Sequence, residues 1–416
     1  MRSKIALLRG PGITRSTVRA LLSNVSFMKK CLFFLCVIIS VSSYGQPLRD
    51  INYEYLYSPD SFVNMELRPV RDDQSFTILY NLHVRDTTGL LGQYSVQWEG
   101  RALLGDKEGT PLTLSDLEVS RHSTGFEGRG RIELTGAPRY LVAKVVNATS
   151  RRAWYFYTRL EENYPVNNFL LRNGSALTQS FVHTNEPVKL GLGSGEWFVS
   201  YYNDNFPASA PSFSEGQARV SRVMAVDSLF RVKAGEEVTF RMRGLFLVQK
   251  DTNSLEGFAF RSEEDYPQFT KLASLPGPLV YITTRQEYDR LEAIQGNKKA
   301  FDRVILSITL DTDRARILMR NYFRRVELAN RYFTSYKEGW KTDRGMIYII
   351  FGKPDEVFRF DDREVWRYDN DRFRNISFNF SRSSSLFDPE NFVLIRDKKY
   401  EGTWYEVIDL WRNARF

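Results

Sequence analysis

The hydrophobic period of this chain changes near Thr284, and that change limits what it can fold into. Upstream of it, the clearest segments alternate apolar and polar residues. Phe76, Ile78, Tyr80, Leu82 and Val84 alternate with Ser75, Thr77, Asn81 and His83; Leu79 is the one apolar residue on the polar face. Tyr94–Arg101, Arg131–Leu134, Tyr140–Asn147 and Arg152–Leu160 read as further strands. Asp72-Asp73, Asp86–Gly89 and Gly136-Ala137-Pro138 supply turns. Short strands at this spacing predict an antiparallel β-sandwich over 47–163. Tyr164-Pro165-Val166-Asn167-Asn168 reads as a linker into a second β-rich domain over 168–284. There Val238, Phe240 and Met242 alternate with Thr239, Arg241 and Arg243, after a turn at Lys233-Ala234-Gly235-Glu236. Pro207–Ser212 is expected to be a mobile loop, and Pro276-Gly277-Pro278 to mark the next boundary.

Downstream the period becomes helical. Arg285–Ile294 is a short expected helix, ended near Gly296-Asn297. A longer one is expected from Thr312 to Tyr336. Its apolar face carries Ala315, Leu318, Met319, Tyr322, Val326, Ala329 and Phe333, with a cap at Asp311 or Thr312 and a stop at Gly339. Strands are then expected at Met346–Phe351, Glu364–Tyr368, Asn375–Phe380 and Phe392–Arg396, and a last element, helix or strand, at Thr403–Trp411. The predicted fold class is multidomain. An all-β, antiparallel sandwich-like N-terminal part precedes an α+β domain over 285–416, with a long helix packed on an antiparallel sheet.

Charge removes one class of function. The chain holds 58 Lys and Arg against 50 Asp and Glu, a formal +8. Residues 1–45 carry seven of those bases and no acid, so the remainder has 51 bases and is close to neutral. A nucleic-acid partner is therefore not expected. Within the leader, Met28-Lys29-Lys30, the apolar run Cys31–Val41 and Ser42–Gly45 form the three parts of a secretory signal. Residues 28–45 are read as the signal, cut after Gly45, and 1–27 as an over-extended start, with a transit peptide as the alternative. Eleven apolar residues are too few to span a bilayer, which takes about 20. Leu35 before Cys36 and the apolar Val37–Ile39 after it argue against a lipidated cysteine. Both cysteines, Cys31 and Cys36, fall in this leader. The mature chain is then expected to lack disulfides, thiol catalysis, cysteine metal sites and any membrane-crossing segment.

The identifying residues follow the long helix. Gly339-Trp340-Lys341-Thr342-Asp343-Arg344-Gly345 leads through an apolar run to Gly352-Lys353-Pro354-Asp355-Glu356. With Arg325-Val326-Glu327, Ala329-Asn330 and Phe333 ahead of them, these residues resemble the GWxTD domain family over about 285–416. The resemblance implies a secreted or periplasmic bacterial protein, often of the Bacteroidetes type; the expected location is the periplasm or the outer membrane, with secretion as the alternative. It implies no defined activity. Two readings of Gly339, Trp340, Thr342, Asp343, Arg344, Gly345, Gly352, Pro354, Asp355 and Glu356 follow from residue chemistry. In the favoured one they form a structural corner. Gly339 stops the helix through a left-handed backbone, Trp340 buries its ring, Thr342 or Asp343 takes backbone hydrogen bonds, and Arg344 pairs with Asp343 or Asp355. In the other, Asp343, Arg344, Asp355 and Glu356 form a polar ligand site. A looser likeness joins Gly352-x-Pro354 and Trp366-Arg367-Tyr368 to the small lipoprotein subunit of the outer-membrane β-barrel assembly machine.

Catalytic patterns are thin. His83, His122 and His183 lie outside the motif, without a nucleophile elbow. Asp361-Asp362 and Asp369-Asn370-Asp371 read as hairpin turns, and Gly191–Gly195 leads into a strand rather than a phosphate-binding helix. Asp86-Thr87-Thr88 and Asp227-Ser228-Leu229 resemble bacterial O-glycan acceptor triplets. Trp340, Trp366, Trp404 and Trp411 favour a dense core over an aromatic binding face. No cofactor or metal is expected. The leading expectation is an exported, non-enzymatic envelope protein that engages an envelope protein partner through its C-terminal domain. The alternatives are a hydrolase or carbohydrate-processing enzyme with a site near Asp343, and a periplasmic outer-membrane assembly factor.

Overall fold

The computed structural model describes residues 45–85, 91–203, 206–215, 224–294 and 296–416. The expected leader up to residue 44, both cysteines and the Asp86–Gly89 segment lie outside them.

Two four-stranded antiparallel sheets form the first layers. One runs in the spatial order Val63–Arg71, Ser75–Val84, Gly125–Glu133, Ser115–His122. The other runs Thr110–Leu112, Tyr94–Arg101, Tyr140–Asn147, Ala153–Arg159. They meet face to face where Tyr80 packs edge-on to Trp98, with ring centroids 5.4 Å apart. Phe76 and Ile78 share a cluster there with Leu114, Leu141 and Leu160. Leu79, on the opposite face, is buried with Val70 and Phe169. The apparent exception in the alternation marks where the second β region covers this sheet.

That second region holds a five-stranded sheet, Phe181–His183, Phe258–Glu263, Gly244–Gln249, Glu196–Tyr202, Ser228–Lys233, in which the first two strands are parallel. A small sheet of Ser175–Ala176, Leu170–Arg172, Pro187–Leu190 and Val238–Thr239 packs with it. The strand expected through Met242 stops at Thr239. Phe240 leaves the ladder to enter the core, 4.9 Å from both Phe246 and Phe260.

The downstream part is α+β, as the period predicts. Its helices are α1 (Arg285–Glu292), α2 (Lys298–Thr309), α3 (Thr312–Phe333), α4 (Asp343–Phe351) and α5 (Glu401–Arg412). The antiparallel sheet Glu356–Arg359, Arg363–Tyr368, Ile376–Arg382, Phe392–Leu394 completes it. Asp311 caps α3 by accepting from Arg314 N at 2.8 Å. The face of Leu318, Tyr322, Val326, Ala329 and Phe333 is buried. Met346–Phe351, expected as a strand, is the body of α4. The run has no apolar period because every residue from Gly345 to Phe351 is buried, and period is what tells helix from strand.

Helix α4 is the centre of the core. Phe333 of α3 lies 5.7 Å from Tyr348, Phe378 of the sheet 4.8 Å from Phe351, and Trp404 of α5 6.1 Å from Phe351. The first β region reaches it as well: Tyr348 OH donates to Tyr57 O at 2.9 Å. The four expected core tryptophans are all buried.

Helix α1 is fastened to α5 by charge. Glu287 closes a capping box with Thr284 and takes bonds of 2.8 Å from both Arg412 Nη1 and Nη2. Those bonds hold the Glu287 carboxyl at about 2, against 4.5 ordinarily, although partial burial pulls the other way. A depressed folded pKa adds stability that is present above the unfolded value and lost as pH falls through the folded one. Urea unfolding of the native chain should therefore show stability falling between about pH 4.5 and 2. In Glu287→Gln part of that slope should vanish, with a loss on the order of 2 kcal/mol at pH 7.

Candidate functional site

The motif sits between the end of α3 and the start of α4. Helix α3 stops at Phe333, with Thr334 in extended backbone, and not at Gly339. The φ of Gly339 is not positive. Its need for glycine is one of space. A Cβ there would lie 2.2 Å from Ala329 O and 2.6 Å from Asn330 Cα, so the chain crosses α3 backbone against backbone. Gly345 is tight for the same reason, its Cβ position being 1.9 Å from Gly339 O.

The hydrogen bonds of this crossing come from distant segments. Gly339 N donates to Tyr266 OH at 3.0 Å, and Trp340 N to Asn330 Oδ1 at 2.9 Å. Asn330 Nδ2 donates to Pro267 O at 2.9 Å, and Tyr281 OH to Trp340 O at 2.9 Å. The Trp340 ring is buried edge-on to Tyr281, 6.2 Å away. Thr342 caps α4: its Oγ1 accepts from Gly345 N at 3.0 Å and donates to Gly339 O at 2.8 Å.

Asp343 and Arg344 do not pair with each other. Adjacent helical positions point about 100° apart, and the two side chains enter different surroundings. Asp343 Oδ1 accepts from Arg396 Nη2 at 2.6 Å, and Oδ2 from Leu394 N at 2.8 Å. Asp343 and Arg396 side chains are 4% and 2% exposed, so this is a closed internal pair. Arg344 instead lies between aromatic rings, its Cζ 4.7 Å from the Phe392 centroid and 5.3 Å from that of Phe333. Its nearest carboxylate is Glu364, at 3.9 Å. Nor does Asp355 meet Arg344. Its carboxylate accepts from Asp369 N at 2.8 Å and Asn370 Nδ2 at 2.7 Å, closing the turn after Tyr368. Glu356 opens its strand and faces Arg367 across the ladder at 3.4 Å. Gly352 has φ +88° at the C-cap of α4, where only glycine is unstrained, and Pro354 is buried just after it.

Two partner sets were not foreseen. Pro207–Ser212, expected to be mobile, is pinned to the corner. Ser209 N and Oγ donate to Lys341 O at 3.1 and 2.8 Å, and Arg396 Nη2 donates to Ala210 O at 3.0 Å. Behind the motif, buried Glu338 takes Arg243 Nη2 at 2.9 Å and Lys341 Nζ at 3.0 Å, with Arg261 Nη2 at 3.8 Å. Burial pushes the Glu338 carboxyl up, but the charges of Arg261, Lys341 and Arg243 win and hold it well below the usual range. Nothing in the spacing of the sequence signals these partners, which lie up to 186 residues apart.

His83, His122 and His183 are exposed. Among the described residues no group of three His, Cys, Asp or Glu side chains is arranged to hold a metal ion.

A family model of the GWxTD domain matches residues 244–413. The match opens at the strand Gly244–Gln249, ahead of α1, and takes in Arg261 and Glu338. No curated protein matches the chain.

Asp343→Asn keeps the shape but leaves Arg396 buried without its counter-charge, and should cost about 3–5 kcal/mol in chemical unfolding. Unchanged stability would show that the carboxylate is free for a ligand. Gly339→Ala should cost about 1–3 kcal/mol through forced separation of the two backbones, read as a lower thermal midpoint.

Proposed function

We propose that this chain, which carries a GWxTD domain over residues 244–413, is an exported, non-enzymatic envelope protein that docks a protein partner through that domain. In this reading it works in the periplasm or at the outer membrane of a Bacteroidetes-like bacterium, after loss of its leader. No helix among the described residues is long and apolar enough to cross a membrane. The closed Asp343–Arg396 pair supports a scaffolding use of the motif, since a carboxylate spent on an internal arginine is not poised for proton transfer.

The observation that carries the docking reading is Leu310. It ends α2 at φ +60°, the left-handed position where helices favour glycine. A leucine there costs about 1–2 kcal/mol of backbone strain. The side chain recovers none of it inside the monomer, because Leu310 is 84% exposed. Leu306, whose carbonyl accepts from Leu310 N at 2.8 Å, is also exposed, as is Ile317 on α3. An apolar edge on a helical hairpin, kept at a cost to the free protein, is what a buried contact with a partner would repay.

Leu310→Gly separates the two effects. It should raise the stability of the purified protein by up to about 1 kcal/mol while lowering cross-linking to its envelope partner. Equal cross-linking by the variant and the native chain would reject this surface.

A further inference from the structure

A cavity of about 170 Å³ lies between the first β region and the GWxTD domain, and guanidinium groups dominate its wall. Arg159, Arg344 and Arg359 line it, against one carboxylate, Glu390. Glu390 is already shared, with Arg382 at 2.9 Å and Arg159 at 3.5 Å. The rest of the wall is mixed: Tyr157 and Thr158 stand beside an apolar side of Leu67, Phe156 and Phe392.

Two of the arginines have donors to spare. The Arg359 guanidinium donates no hydrogen bond among the described residues; its Nε stops 3.5 Å from Glu364 Oε2, and its Cζ rests 4.7 Å over the Tyr157 ring. Arg344 reaches Tyr57 OH at 3.3 Å and Glu390 O at 3.5 Å, both long contacts. Glu364 is fully buried and does not line the cavity. Its Oε1 is taken by Tyr57 OH at 2.8 Å and Trp366 Nε1 at 2.6 Å, while its Oε2 accepts no hydrogen bond. This carboxylate orients both guanidinium groups without using up their N–H donors. Arg359 and Arg344 each carry five donors in a fork that fits a carboxylate.

We propose that this cavity binds a small organic carboxylate, its charged end held between Arg344 and Arg359 and its apolar body against Leu67, Phe156 and Phe392. The apolar wall sets the choice. A bare inorganic anion would leave that surface uncovered, whereas an alkyl or aryl carboxylate covers it and fills the donors. The site lies away from the Leu310 edge, so it stands or falls independently of the docking surface.

The test is calorimetric titration of the full chain with hexanoate, inorganic phosphate and chloride at equal ionic strength. Hexanoate should bind one to one and more tightly than either inorganic ion. Arg359→Gln should weaken it at least about tenfold, the effect of losing a charge-assisted contact. Leu67→Phe, which fills the cavity from its apolar side and alters no charge, should also abolish binding, and it decides the matter if Arg359→Gln fails to fold. Hexanoate binding no better than chloride would overturn the proposal. So would tighter binding of phosphate, or hexanoate binding unchanged in Leu67→Phe.

Discussion

A helix buried on every side must satisfy its end groups inside the protein, and α4 imposes that requirement on its surroundings. The first N–H groups and last C=O groups of any helix lack partners within it. At the start of α4, Thr342 supplies a side-chain acceptor and Asp343 adds negative charge in the first turn. At its end Arg325 Nη1 donates to Ile349 O and Ile350 O at 3.1 and 3.2 Å, and Trp411 Nε1 donates to Ile350 O at 3.1 Å. Burial lowers the Arg325 guanidinium to about 10. It still carries its charge at neutral pH, between the rings of Trp411 and Phe416. The cation thus lies where the helix dipole is negative, and α3 and α5 are positioned to deliver it and its aromatic cover.

The same logic links the β regions to the helices. Arg261 and Glu263, on a strand of the five-stranded sheet, belong to one ionic group with Arg243 and Glu338, next to Gly339. Arg261 Nη1 also donates to Tyr336 O at 2.8 Å. Removing such charges from water is expensive unless each finds a partner. This group therefore ties the loop after α3 to one geometry. A domain match that opens at Gly244 rather than at the first helix agrees with that dependence.

Much of this architecture was legible in residue order. The alternation at 75–84 and the face of α3 came from a period that a half-buried element cannot hide. What misled was complete burial. The run Met346–Phe351 is apolar on all sides and rich in isoleucine, so it read as a strand. Its two flanks, a threonine cap and a glycine stop, carried the better signal. The motif's glycines were recognisable, but their reason was not. A left-handed turn at Gly339 follows from sequence habit, whereas contact between two backbones is visible only in three dimensions. The pairing of Asp343 with Arg396 was out of reach, because no local rule selects one arginine among many at that separation. Leu310 illustrates a subtler gap: an apolar residue in the glycine position of a helix end looks like ordinary sequence until its exposure is known.

The corner is closed by a strand that comes late in the sequence. Tyr266, Asn330 and Ser209 precede or flank the motif, but Leu394 N and the Arg396 guanidinium must arrive before Asp343 has a counterpart. What sets these contacts apart is their direction: their residues follow the motif by 51 and 53 positions, and chain entropy is lost before the contact rewards it. Until that stretch is in place, the aspartate of the corner has no counter-charge and its tryptophan has no closed frame around it.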